Sequence, residues 1–162
     1  MASCCFTGHR TIPAKDFDLV RRGLEDEIDR LAEEGVEQFY AGGALGFDTL
    51  ASLTVLMLKR RHQSIRLTLV LPCRDQAEKW AQTDQVQYEY IKSRADEVIY
   101  TAEEYHKGCM QKRNRYLVDS CDYLIAVWDG TASGTGSTVR YAQENNKSII
   151  IINPNELSSG VD

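Results

Sequence analysis

Three short segments of this chain combine glycine with side chains able to hold a ligand. They are Thr7-Gly8-His9-Arg10, Gly42-Gly43-Ala44-Leu45-Gly46-Phe47-Asp48 and Ser133-Gly134-Thr135-Gly136-Ser137-Thr138. Glycine lets a backbone approach a ligand closely, and the amide groups opening a following helix favour an anion. Arg10 beside Gly8 offers a cation to a phosphate or carboxylate. His9 reads either as a second polar contact or as a hydrogen-bonded structural residue. The second segment is spaced Gly-Gly-x-x-Gly-x-Asp, which is neither the dinucleotide fingerprint nor a P-loop. Its Asp48 either caps a helix or accepts hydrogen bonds from ligand hydroxyls. The third segment offers hydroxyls and backbone N–H groups to an anion, or a plain Ser/Thr cap.

A fourth candidate lies in Cys109-Met110-Gln111-Lys112-Arg113-Asn114-Arg115. Met110, Arg113 and Leu117 share one helical face by their spacing. The apolar pair must face a sheet, so Arg113 is carried into buried territory, where a guanidinium requires a partner. Two partners are open: a ligand phosphate, or a carboxylate such as Asp48. Lys112 and Arg115 read as solvated. Gln76 and Trp80 follow an apolar strand, and Trp80 either stacks on a base or packs beneath its loop. No Ser-His-Asp order, paired-carboxylate motif or metal-ligand spacing stands out, and no general base is named.

These segments need elements to position them. Apolar runs at 3–7, 36–41, 65–71, 97–100, 122–128 and 148–152 read as strands. Several are apolar throughout, as strands covered on both faces are. Between them, helices are predicted at 14–34, 48–61, 84–94, 110–120 and 137–146. Phe17, Val20, Leu24, Ile28 and Leu31 set the stripe of the first, and Gly35 closes it. This alternation specifies one doubly wound, mostly parallel α/β sheet of Rossmann type with helices on both faces. The direction of an edge strand is left open. In such a sheet the strand-to-helix turns all open at the carboxyl edge, where ligands bind. Residues 1–154 make this single domain, and 155–162 read as a polar tail.

Bulk properties narrow the function further. The 162 residues suit one domain, and a formal charge of −5 argues against loose nucleic-acid or membrane binding by bulk charge. No apolar run approaches the roughly 20 residues of a membrane span, and the N-terminus has no secretory pattern, so a cytoplasmic protein is expected. The 5 cysteines are scattered and odd in number, which suggests reduced, buried thiols rather than a disulfide framework.

Taken together, Phe6-Thr7-Gly8-His9-Arg10, the 42–48 turn, Pro72-Cys73-x-x-Gln76 through Trp80, Arg113-Asn114-Arg115 and the loop from Asp129-Gly130 to Thr138 resemble the YpsA-like family of the SLOG superfamily. The resemblance spans about residues 3–154. It implies a Rossmann-like domain holding a nucleotide or nucleotide-sugar at this edge. The implied contacts include Gly8, His9, Arg10, Gly42, Gly43, Gly46, Asp48, Gln76, Trp80, Arg113, Asn114, Asp129 and Ser133 to Thr138. The 42–48 turn is similar to the DprA turn, and Met110-x-x-Arg113 to the LOG Met-x-x-Arg segment whose Arg is catalytic. The LOG motif Pro-Gly-Gly-x-Gly-Thr-x-x-Glu departs here. Its catalytic Glu falls on Tyr141, or on Arg140 with a one-residue slide, and Glu144 lies nearly a helical turn beyond. A sensor or regulatory module binding a nucleotide-type small molecule is therefore expected, with no metal or other cofactor identified and a homo-oligomer left open. The alternatives are a phosphoribohydrolase using Asp48 or Asp129, and a DprA-like single-stranded DNA binder.

Overall fold

The computed structural model describes residues 2–159. Its strands are β1 (Ser3–Gly8), β2 (Gln38–Ala41), β3 (Arg66–Leu71), β4 (Glu97–Tyr100), β5 (Tyr123–Val127) and β6 (Ser148–Ile152). Its helices are α1 (Phe17–Glu33), α2 (Phe47–Leu58), α3 (Gln82–Arg94), α4 (Cys109–Ser120), α5 (Gly134–Glu144) and α6 (Pro154–Ser159). The strands form one sheet in the order β4-β3-β2-β1-β5-β6, and every neighbouring pair is parallel. The edge strands β4 and β6, whose direction the sequence left open, therefore run with the rest. Strand order reverses at β1, which pairs with β2 on one side and β5 on the other.

Period-two alternation divides the interior into two layers. Cys4 and Phe6 of β1, with Ile125 and Val127 of β5, join α1 and α2 in the larger core. Cys5, Leu124 and Ala126 point the other way and pack with Leu117, Val118, Val139 and Ala142 of α4 and α5. The apolar stripe of α1 is seated as its spacing predicts, with Val20, Leu24, Ile28 and Leu31 fully buried. Each such side chain contributes roughly 1.5–3 kcal/mol by leaving water. Phe17 departs from the stripe. It opens α1 and stays 42% exposed, beyond the reach of the core.

Helix ends show local chemistry at work. After α1, the Val36 N–H bonds the Leu31 carbonyl and the Gly35 N–H bonds that of Ala32, which ends the helix with its last carbonyls satisfied. At two places helix forms where none was expected. α5 begins at Gly134 rather than 137, so the glycine–hydroxyl segment is the first turn of the helix and not a loop before it. At the C-terminus, part of the expected tail forms α6, started by Pro154 and by the Asn153 side chain, which accepts from the Asn155 N–H at 3.0 Å. All 5 cysteines are free and buried. Among the described residues, no helix is long and apolar enough to cross a membrane.

Candidate functional site

β1 ends at Gly8 and β5 at Val127, side by side in register, at the point where strand order reverses. The chain must leave these two strands in opposite directions, and this opens a crevice beyond their carboxyl ends. A cavity of about 520 Å³ lies there. Of the residues expected to contact a ligand, Gly8, His9, Arg10, Asp48, Arg113, Asn114, Ser133, Gly134, Thr135, Ser137 and Thr138 line it. Gln76 and Trp80 line a neighbouring cavity instead. Gly42, Gly43, Gly46, Asp129 and Gly136 line neither.

The first two turns are interlocked. The Phe47 N–H bonds the His9 carbonyl at 3.1 Å. Gly46 adopts φ 78°, and a Cβ there would stand 2.0 Å from the Arg10 carbonyl oxygen, so only glycine fits. This clamp fixes where Arg10 leaves β1. Gly46 is also the residue before α2, so Asp48 lies inside the first turn of that helix and does not occupy the cap position. Its carboxylate reaches back to accept from the Ala44 N–H at 3.2 Å.

Arg113 is 4% exposed, as its place on the helical face predicts. Its Nη1 donates to the Gly42 carbonyl, and its Nε donates to Asn114 Oδ1 at 2.8 Å. Gly42 is the close-approach residue here. A Cβ on it would fall 2.7 Å from Arg113 Nη1 and 2.8 Å from Asp48 Oδ2. Asp48 and Arg113 thus flank the same backbone point without a direct ion pair among the described residues. Burial pushes the Asp48 carboxyl up, opposed by Arg113 and the Ala44 N–H. Burial likewise pulls Arg113 down, opposed by Asp48, while Arg10 adds to the lowering. Two cations therefore repel each other across this cavity beside a single buried carboxyl, and an incoming anion would relieve both.

The third turn supplies the complementary wall. Ser133 caps α5 and its Oγ accepts from the Gly136 N–H at 3.1 Å, while the Ser137 N–H bonds the Ser133 carbonyl. The remaining first-turn N–H groups, on Gly134 and Thr135, border the cavity. His9 Nε2 is buried without a hydrogen bond and stands 3.6 Å from Asp129 Oδ1. The Asp129 carboxyl is held low chiefly by the Thr131 hydroxyl and N–H.

Three lining residues were weighed in the sequence only against the LOG motif acid and not as ligand contacts. Arg140, Tyr141 and Glu144 continue the cavity face of α5 beyond Thr138. The spacing 134, 137, 138, 141, 144 is a helical face that lies, from 137 onward, inside the expected helix, but local spacing carries no record of how far along it the cavity reaches. Arg115 is exposed as expected, yet it stands at the cavity rim near the Tyr141 ring. Tyr141, which with Arg140 is one of the two positions on which the LOG motif acid would fall, donates its hydroxyl to Asp119 Oδ1 at 2.8 Å. That bond holds the phenol above its usual range and engages its proton. Away from this edge, Asp29, Glu33 and His62 bring ligand-type atoms within 4.8 Å of one another. The His62 and Arg61 bonds to Asp29 account for that cluster without an ion.

The family model described as the YspA SLOG family matches residues 5–157. The chain is 32% identical over 126 residues to the uncharacterized SPbeta prophage-derived protein YoqJ of Bacillus subtilis, covering 70% of this chain and 74% of that protein. It is 30% identical over 145 residues to a UPF0398 protein of Halalkalibacterium halodurans, covering 85% of this chain and 77% of that one. DNA processing protein A from Helicobacter pylori, a solved structure described for its single-stranded DNA binding mode, superposes with a TM-score of 0.67 at 20% identity. The match covers 98% of this chain and 72% of that chain, and it is a likeness of fold. With a sheet that switches at β1, three turns meeting at its carboxyl edge and a family match over nearly its full length, the chain belongs to the YpsA family of SLOG proteins.

Proposed function

We propose that this chain is a ligand-sensing SLOG module that binds a nucleotide or nucleotide-sugar, with a phosphate seated between Arg10, Arg113 and the first turn of α5. One observation carries this reading: a buried guanidinium borders the cavity with only backbone and amide oxygens as direct partners among the described residues. A phosphate there gains charge-assisted bonds and offsets the Arg10–Arg113 repulsion. The N–H groups of Gly134 and Thr135 approach from the opposite side, where a helix start favours an anion. Calorimetric titration with AMP tests this. Arg113→Ala is expected to weaken binding roughly 10- to 100-fold, the worth of a charged hydrogen bond. Gly134→Val should also weaken it by crowding the α5 turn. Unchanged affinity in both variants would sink the site.

Binding without LOG-type hydrolysis is favoured because the motif acid would fall on Tyr141, already bonded to Asp119, or on Arg140, and neither is an acid. A second reading, cleavage of the N-glycosidic bond of a nucleoside monophosphate, draws on Asp48. This carboxyl lines the cavity with its pKa raised by burial, which suits a proton donor. It predicts free base released from a panel of nucleoside monophosphates. No release above blank across that panel removes it.

A further inference from the structure

A second cavity, about 480 Å³, adjoins the first. Arg10, Ala44 and Met110 line both, so the two chambers meet across Arg10. Each lies within the roughly 300–1,000 Å³ range that holds one drug-sized ligand. Together they exceed what a mononucleotide fills.

Their linings differ in kind. The first chamber carries Arg10, Arg113, Arg115 and Arg140 against Asp48 and Glu144, a cationic surplus suited to phosphate. The second balances Arg10 and Lys79 with Asp75 and Glu78, and adds the rings of Trp80 and Tyr105. Trp80 is braced edge-to-face on Tyr88, with centroids 5.1 Å apart and planes at 73°. Tyr88 in turn accepts from Gln76 Nε2 at 3.3 Å, and the same amide donates to the Gly43 carbonyl at 3.4 Å. The Trp80 ring is thus tied through Gln76 to the 42–48 turn, which also positions Arg113. Tyr105 is 66% exposed, and core packing gives no reason for an aromatic ring there. A preset indole and an open phenol beside polar side chains suit a flat ring with hydrogen-bonding edges.

We propose that the second chamber is a ring-binding subsite, and that the ligand is of dinucleotide type: two ring-bearing halves joined by phosphate, one half in each chamber, with the linking phosphate over Arg10. This deepens the nucleotide reading and rests on it. The test is calorimetry on the full chain with two probes, AMP and NAD. Wild-type protein binds NAD at least tenfold more tightly than AMP. Tyr105→Ser and Trp80→Ala each weaken NAD about 5- to 100-fold, the worth of one base–aromatic stack, and shift AMP less than twofold. Tyr105→Ser keeps the test decisive if Trp80→Ala loosens the fold, because Tyr105 supports no core packing.

Equal affinity for AMP and NAD, or NAD binding untouched by both variants, overturns the subsite while AMP binding sensitive to Arg113→Ala keeps the nucleotide reading. AMP weakened as much as NAD by Tyr105→Ser places the single base in the second chamber and overturns the two-ring ligand. Failure of wild-type protein to bind either probe overturns both proposals.

Discussion

The turns at 42–48 and 129–138 are both glycine-rich, both join a strand to a helix, and both face the same crevice. Around the first, protein fills the space that side chains would need. Arg10 abuts Gly46, while Arg113 and Asp48 abut Gly42. Around the second, Gly134 has nothing within 4 Å of a built Cβ, and only Gly136 is tight, against Thr131 and Trp128. The first turn thus spends its glycines on internal contact. It presses one loop against another so that Arg10, Asp48 and Arg113 are held in place. The second leaves its leading glycine at the cavity lining with open space where a side chain would stand. Similar composition therefore does two things: the first turn positions its neighbours, and the second leaves room beside the cavity, where the proposed function seats a phosphate.

This contrast can be broken by the same substitution in each turn. Gly46→Ala carries the largest expected effect. A left-handed backbone costs an L-residue about 1–2 kcal/mol, and overpacking adds about 1–3 kcal/mol, so a loss of roughly 3 kcal/mol is expected in urea unfolding. A loss below about 1 kcal/mol would show that the clamp between the first two turns is loose.

A smaller effect tests the charge held behind the first turn. The Asp48 carboxyl lies above its unfolded value, so its contribution to stability is fullest below the unfolded pKa, about 4, and is lost as pH rises through the folded pKa. Wild-type protein should therefore lose stability relative to Asp48→Asn between pH 4 and pH 7. Parallel urea midpoints for the two proteins across that range would contradict the burial-dominated shift.

The smallest effect has the opposite sign. Gly134→Ala places a better helix former in open space at the start of α5, so a gain of a few tenths to about 1 kcal/mol is expected. A clear destabilisation, read from the same urea curves, would mean that the second turn is as constrained as the first, and the contrast would collapse.

Much of the arrangement was legible in the residues. The continuous apolar strands and the α1 stripe specified a doubly wound sheet, and Arg113 was placed inside by its spacing from Met110 and Leu117. Reading failed at helix starts. The segment from Ser133 to Ser137 looks like a loop because Gly and Ser are weak helix formers, yet α5 begins there because the Ser133 cap and tertiary packing outweigh propensity. Arg140, Tyr141 and Glu144 lie inside the expected helix, and only the extent of the crevice along α5 brings them into the site. Asp48 had an equally plain local reading as a cap, which failed because Gly46 takes that position.

By itself, then, the sequence determined which residue types meet at the carboxyl edge, because period-two strands and 3.6-residue helices leave little freedom about which end of the sheet each turn occupies. Only the tertiary structure decided what each does there. Whether a glycine faces a neighbour or open space, whether Arg113 meets Asp48 directly or across the Gly42 backbone, and whether Trp80 belongs to the first chamber or the second all depend on distances between segments far apart in the chain. Those distances follow from how the two layers pack on the sheet, and local spacing carries no record of them.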